Sequence, residues 1–364
     1  MLENLKKYTQ IIPSAFGLDI SDSSIKFVQL SKERGGLGIS MFGEKFIPEG
    51  AVSRGLIKEP QEISKILTTV FQKFKSSGLS EYAILSLPDE QTFLQVISLP
   101  FLSDEELESA IFVEAERNIP IDLDDAYLDY FILEKNDDNL KILLAAANKS
   151  VVDGYIKVVV DAGLKPVVIE PEVIAIARSI VSEKEKNDAM IIIELGANRT
   201  RLIGYSNYGA NRTSSIDFSA EYINNLVAKE LKMDLQEVKK INWDVNLLQD
   251  PNYGALIKKV TEKPLSDLAK AVKNNIASWD SDEYKLDSVK RIILSGGGAS
   301  IPSITEKISS LVGIPTGIGN PIQNIRGGKD IPMSQKTSLL FTTALGLAFR
   351  GSSLDEKSIY KDFV

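Results

Sequence analysis

From Phe16 to Leu30 a mainly apolar run, which also carries Asp19, Lys26 and Gln29, is interrupted by Ser21-Asp22-Ser23-Ser24, which predicts a strand, a tight polar turn and a second strand. Gly35-Gly36 supplies the next turn, and Ile39 to Ile47 reads as a third strand. Over Glu59 to Ser77 the period changes. Ile63, Ile66, Leu67, Val70, Phe71 and Phe74 recur at three- and four-residue steps, which describes one face of a helix. Tyr82 to Leu87 is a buried-type strand closed by Pro88.

A second unit opens with a strand over Thr92 to Leu99, ending at Pro100. Ser103 is an N-cap, and Asp104, Glu105 and Glu106 put acids in a first helical turn, where the helix dipole favours them. That helix runs to about Asn118, before Pro120, and strands follow at Ala126 to Glu134 and Leu140 to Asn148, joined by a polar turn at 136–139. This β-α-β-β block reads as an insertion into a first domain. Helices at Ser150 to Ala162 and Glu172 to Glu183 flank a strand at Val167 to Glu170, and Ser182 to Asp188 is a charged linker.

The opening pattern then recurs. Met190 to Glu194, Arg201 to Ser206 and Ala210 to Ile216 mirror residues 16–47 as strand, glycine turn, strand, strand, a distant internal duplication. Helices are expected at Ala220 to Lys232 and Pro264 to Asp280, then a short strand, three glycines and a helix over Ser303 to Leu311. A final helix, Ser334 to Arg350, returns to the first domain, and the last residues form a frayed tail. The expected division is 1–87 with 149–188, the insertion 88–148, a second domain 189–325, and a closing segment 326–364.

Composition narrows the chemistry. The 364 residues carry a net charge of −8 and no basic–aromatic cluster, which argues against nucleic acid as a partner. With no cysteine and no histidine, disulfides, thiol nucleophiles, Ser–His triads and His- or Cys-ligated zinc are excluded, leaving only a hard ion on oxygens such as Mg²⁺. No apolar run reaches the ~20 residues of a membrane helix. Met1 to Pro13 lacks the long apolar core of a secretory signal, so a cytoplasmic protein is expected.

Three separated turns carry candidate chemistry. In Asp19-Ile-Ser-Asp-Ser-Ser-Ile-Lys26 an acid ends one strand, Ser21, Asp22, Ser23 and Ser24 form the turn, and Lys26 lies two residues into the next strand. Such a loop can embrace phosphates with its amides and hydroxyls, and Asp19 can hold Mg²⁺ through water. Glu194-Leu-Gly196-Ala197-Asn198 repeats the acid-then-glycine arrangement, making Glu194 a second metal candidate. Gly296-Gly297-Gly298-Ala299, after the strand Arg291 to Ser295, lets a backbone approach a ligand unhindered. Either hairpin alone reads better as a polar turn without a ligand. All three together describe a cleft that clamps a nucleotide between two related domains. The acidic helix with Glu105, Glu106, Glu108, Glu114 and Glu116 reads as a solvated face. A paired-carboxylate hydrolase there lacks any supporting glycine, aromatic or metal context.

On these motifs the chain resembles the actin-like ATPase superfamily and, within it, the PilM family of type IV pilus assembly. FGLDISDSSIKFVQL is similar to its first phosphate loop, IIIELGANRTRLIGYSNYGANRTSSID to its second, and IILSGGGASIPSITEKISSLVGIPTGIGNP to its adenosine motif. ISLPFLSDEELESAIFVEAERNIPIDLDDAYLDYFIL resembles the inserted subdomain, and Thr343 to Arg350 the closing helix. The resemblance implies an α/β, actin-like (ribonuclease H-like) two-domain fold with an inserted β-α-β-β subdomain. It implies an ATP and Mg²⁺ site at the residues above. It also implies a cytoplasmic scaffold that forms an oligomer or ring and binds the N-terminal cytoplasmic peptide of a PilN-like inner-membrane protein, its only tie to the membrane. Tyr82 to Leu99 and Ala126 to Asn148 would wall the peptide groove.

The chain departs from that pattern at four places. The first loop has Ser21 in place of a glycine, and Glu194 stands for an aspartate. Asp217-Phe218 replaces a glycine pair, where ring and charge would oppose a triphosphate, and Ala271 replaces an acid expected to meet the ribose. Two outcomes stay open: ATP held by modified contacts without turnover, or a nucleotide-free pseudo-ATPase scaffold. An active ATPase or small-molecule kinase and an FtsA-like division filament are the rival classes. The short acidic-polar stretch Leu354 to Val364 speaks against the filament's amphipathic membrane helix.

Overall fold

The computed structural model describes residues 14–136, 138–241, 253–279, 288–325 and 331–352. Met1 to Pro13, the tail from Leu354 to Val364 and the end of the helix expected to reach Asp280 lie outside the described residues.

β1 (Phe16–Ile20), β2 (Ser24–Glu33) and β3 (Gly36–Phe46) form an antiparallel meander. β4 (Val52–Ser53) and β5 (Leu56–Ile57) make a small separate hairpin, and α1 (Pro60–Lys75) leads into β6 (Tyr82–Leu87). The inserted block follows as β7 (Thr92–Pro100), α2 (Asp104–Asn118), β8 (Ala126–Lys135) and β9 (Asn139–Asn148). α3 (Lys149–Asp161), β10 (Lys165–Pro171) and α4 (Glu172–Ile180) complete the first half. The second half runs β11 (Met190–Leu195), β12 (Thr200–Ser206), β13 (Gly209–Ile216), α5 (Ala220–Leu231), α6 (Leu235–Ile241), α7 (Gly254–Ser278), β14 (Arg291–Ser295), α8 (Ile304–Val312) and β15 (Thr316–Ile318). α9 (Gln335–Leu340) and α10 (Thr342–Ser352) close the described chain.

The duplication read from the pattern is explicit in the sheets. One has the order β3-β2-β1-β6-β10 and the other β13-β12-β11-β14-β15. In each, two antiparallel hairpin strands extend one side of the first strand and two parallel strands extend the other. The inserted block has its own sheet, β7-β9-β8, with α2 across one face. Ser103 and Glu106 close the capping box that opens α2.

Strand alternation explains how the halves meet. On β11, Ile191, Ile193 and Leu195 join the second half's core with α5, α7 and α8. Met190 and Ile192 face the other way, into a cluster with Val173, Ile176, Ala177 and Ile180 of α4. A helix of the first half therefore covers a sheet of the second, each buried side chain contributing about 1.5–3 kcal/mol. α10 lies against α4 and β1. Arg178 fastens this layer, giving Nη2 to Glu170 Oε2 (2.9 Å) and Nη1 to the Gly346 carbonyl (3.0 Å).

Three helices differ from expectation. Pro264 is not a start: α7 begins at Gly254 and carries Pro264 inside, because Ile257, Thr261, Leu265, Leu268, Val272 and Ile276 form one buried face. Packing of that face outweighs the lost backbone bond. The closing helix is two helices broken at Phe341. There Thr342 Oγ1 gives its hydrogen bond to Leu339 O (3.0 Å) and lies 2.9 Å from Ser295 Oγ, a local alternative to the helical ladder. α4 also ends at Ile180, short of Glu183.

Candidate functional site: the cleft between the halves

The β1–β2 turn is held by its own serines. Ser21 N–H and Oγ–H both donate to Ser24 O (3.0 and 2.8 Å), and Ser24 N–H donates to Ser21 Oγ (3.3 Å). The Ser23 carbonyl accepts from Ile47 N–H. Asp22 reaches the β4–β5 hairpin and accepts the backbone N–H of Arg54 and of Gly55, each at 3.0 Å. Both residues have positive φ (50° and 71°), so the carboxylate caps a left-handed turn. Asp19 is buried and lies opposite Lys26 in the β-register. Lys26 Nζ gives a 2.7 Å bond to Ser24 Oγ and sits 3.4 Å from Glu44 of β3, which also accepts from Ser24 Oγ. This first loop is satisfied mostly within its own half.

The β11–β12 turn is built differently. Gly196 N–H bonds Arg199 O, and the carbonyls of Gly196 and Ala197 accept the N–H groups of Ala220 and Glu221. Ser219 Oγ accepts Tyr222 N–H. The amides that open α5, which an anion would need, already have acceptors in the chain. Asn198 is exposed. Gly296 (φ 78°) passes so close to the end of β11 that a Cβ would lie 2.6 Å from Leu195 O and 2.8 Å from Glu194 Oε1. Gly298 packs on Leu195, a Cβ at Gly297 would meet Leu340, and Ala299 is buried in the core. The glycine turn thus serves close packing against the second loop. Phe218 joins that same core and its carbonyl accepts from Thr200 Oγ1 (2.9 Å), so the ring expected to oppose a triphosphate is turned inward.

Between the loops lies a charge cluster that sequence reasoning did not assemble. Arg201, opposite Glu194 on β12, gives Nη1 to Glu194 Oε2 at 2.9 Å. Its Nη2 lies 2.9 Å from Glu172 Oε1 and 3.4 Å from Glu90 Oε1. Glu172 opens α4 and Glu90 sits in the 3-10 turn after β6, both in the first half. Arg199 makes a second pair with Glu90. Asp89 N–H donates to Glu172 Oε1 (2.9 Å). Side-chain exposure is 14% for Arg201, 15% for Glu194, 11% for Glu172 and 14% for Glu90, so water has little access.

Burial decides the protonation here. It pushes Glu172 up to about 8 against the pull of Arg201, and it raises Asp19, Asp89 and Glu194 above the usual carboxylate range. Burial alone would lower Arg201, but Glu172, Glu194, Glu90 and Asp89 together raise it, so it stays charged. Asp19, Glu44, Asp89, Glu90, Glu172 and Glu194 outnumber Lys26, Arg199 and Arg201, and the surplus favours retained protons.

The structure brings Asp19, Lys26, Glu194 and Gly296 to one region: Asp19 and Lys26 both act on the ionisation of Glu194, whose carboxylate borders Gly296. Asp22 is spoken for by the Arg54–Gly55 turn. Glu90, Glu172, Arg199 and Arg201 went unpredicted because their partners are distant in sequence. The available signal was an arginine alternating in phase with Glu194 across a hairpin.

The fold class implies a metal-bound nucleotide, and this donor set does not fit one. Glu194 is paired with an arginine, and the α5 amides that an anion would need are already used. No group of carboxylates placed to hold a metal ion occurs among the described residues. Asp19 and Glu194 are therefore not assigned to Mg²⁺.

Two sheets of one topology around a shared helical layer, with paired hairpin loops facing a cleft, define an actin-like protein. One solved relative of that class is MreB5 of Spiroplasma citri bound to AMPPNP, at 13% identity and TM-score 0.54, covering 95% of this chain and 96% of that one. The sequence profile of the type IV pilus assembly protein PilM matches residues 17–352, and the chain belongs to that family. The structure is similar to that solved as a PilM–PilN type IV pilus biogenesis complex, with TM-score 0.77 and 21% identity over 94% of this chain and all of that one. Cell division protein FtsA of Neisseria meningitidis serogroup B (strain ATCC BAA-335 / MC58) is 24% identical over 211 residues, 53% of this chain. The chain spans about half the length of that curated relative, 50% of it.

Proposed function

We propose that the chain is a type IV pilus assembly scaffold that captures the N-terminal cytoplasmic segment of a PilN-like inner-membrane protein. It works at the inner face of the membrane, through that partner and as an oligomer or ring. No helix among the described residues is long and apolar enough to cross a membrane itself. The observation that carries the reading is the inserted sheet. β8 is its edge strand, and Tyr127, Tyr130 and Phe131 stand exposed on it (48%, 36% and 67%). A strand at the sheet's edge with exposed aromatic side chains suits an extended peptide, which adds main-chain bonds along the edge and side-chain contacts beside it.

ATP is not required by this reading, because closure of the cleft has protein groups to support it. The test is binding of a synthetic PilN-like N-terminal peptide to the full chain by calorimetry. Phe131→Asp is expected to weaken binding at least about tenfold. Phe46→Asp, at an equally exposed aromatic on β3, is expected to leave it unchanged. No heat with the unmodified protein would overturn the peptide role.

A further inference from the structure

We propose that Arg201, seconded by Arg199, is a built-in latch that closes the cleft in place of a metal-bound nucleotide. The inference goes beyond the scaffold reading and stands without it.

The guanidinium of Arg201 is carried by β12 of the second half, and its Nη1 is held by Glu194 of the same sheet. From there it crosses to Glu172 and Glu90 of the first half, and Arg199 makes the parallel crossing to Glu90. Planar, permanently charged guanidinium groups suit such multi-carboxylate bridging better than a lysine would. Two polar atoms in the cluster are buried without a partner: Arg201 Nε, a donor, and Glu90 Oε2, an acceptor. The unmatched capacity is thus one N–H donor and one carboxylate oxygen, which water can bridge; it is not the row of free donors that a triphosphate needs. The helix whose N-terminus could have supplied such donors spends its first amides on the Gly196 and Ala197 carbonyls.

An entering phosphate would have to take Arg201 from Glu172 and Glu90 and leave those buried acids facing an anion. The cation that a nucleotide site needs is covalently supplied here, and its partners are acidic side chains of the opposite half. The inserted block adds a second tie at its own boundary with the second half. Tyr208, in the β12–β13 turn, donates to Glu134 Oε2 (2.6 Å) and accepts from Lys141 Nζ (2.8 Å).

The test uses the full chain with two readouts, thermal unfolding and hydrogen–deuterium exchange. About 5 mM ATP with Mg²⁺ is expected to change neither, although a ligand at about a hundred times its Kd raises the melting temperature measurably. Arg201→Ala is expected to lower the melting temperature by at least about 3 °C and to speed exchange of residues 89–91 and 196–201 at least about tenfold. Should that variant fail to fold, Glu90→Gln and the more exposed Arg199→Ala carry the same expectation. The latch is overturned by a nucleotide-dependent rise in the unmodified protein, which would make Arg201 a phosphate ligand, or by variants that leave exchange at both segments unchanged. Peptide binding by the unmodified protein is measured separately, so failure of the latch and failure of the scaffold role are distinguishable.

Discussion

The β1–β2 and β11–β12 hairpins have the same topology and opposite loyalties. In the first, Lys26 turns to Ser24 and Glu44 of its own sheet, and Asp22 caps a neighbouring turn. In the second, Arg201 keeps Glu194 of its own sheet and, with Arg199, also reaches acids of the other half. Backbone geometry is common to both, so the difference lies in side-chain reach and charge. A duplicated frame positions two loops toward a cleft, and a few residues on one loop decide whether the cleft holds a ligand or holds itself shut.

Breaking the second hairpin should have the largest effect. Arg201→Ala removes the cation and hydrogen-bond donors that Glu194, Glu172 and Glu90 share inside the buried cluster, and about 3 kcal/mol of stability should be lost, measured by denaturant unfolding near neutral pH. Next comes pH. Folded Glu172 keeps its proton up to about pH 8, whereas its ordinary value is 4.5. Between those values the unfolded chain binds fewer protons, so stability should fall as pH rises, by up to about 1.4 kcal/mol per pH unit for each such group. Glu172→Gln should flatten that slope in part, the remainder coming from Asp19, Asp89 and Glu194, which shift in the same direction. An unchanged slope would show that Glu172 does not hold its proton.

The first hairpin should respond more weakly. Asp22→Ala frees two backbone donors at the Arg54–Gly55 turn and should cost about 2 kcal/mol, with faster amide exchange at those two residues as the specific sign. Lys26→Ala should cost about 1–2 kcal/mol, less than Arg201→Ala, because Lys26 pairs with one carboxylate, Glu44, whose own side chain is 26% exposed. If Lys26→Ala proved as damaging as Arg201→Ala, the contrast between the hairpins would fail, and Lys26 would belong to the same cleft network.

Much of this was legible in the order of residues, and the limits have physical causes. Apolar runs broken by polar or glycine turns at Phe16 to Leu30 and Met190 to Ser206, and the three- and four-residue steps after Glu59, foretell strands and helices because they report which positions meet the core. Pro264 misled, since a helix boundary is decided by the packing of a whole face as well as by one missing N–H. Among the candidate residues, Asp19, Lys26, Glu194 and Gly296 do come together. Asp22, Ala299 and the Gly196–Ala197 carbonyls turn out to serve the chain's own turns and helix ends.

The sequence by itself determined the elements, the duplication, the insertion and the exclusion of histidine and cysteine chemistry, because those depend on local periodicity and on which side chains exist. Only the tertiary structure decided that Arg201 meets Glu172 and Glu90. Ion pairing acts over a few ångströms of space and leaves no periodic trace along the chain, so the partners of a buried charge become visible only once the two halves are packed together.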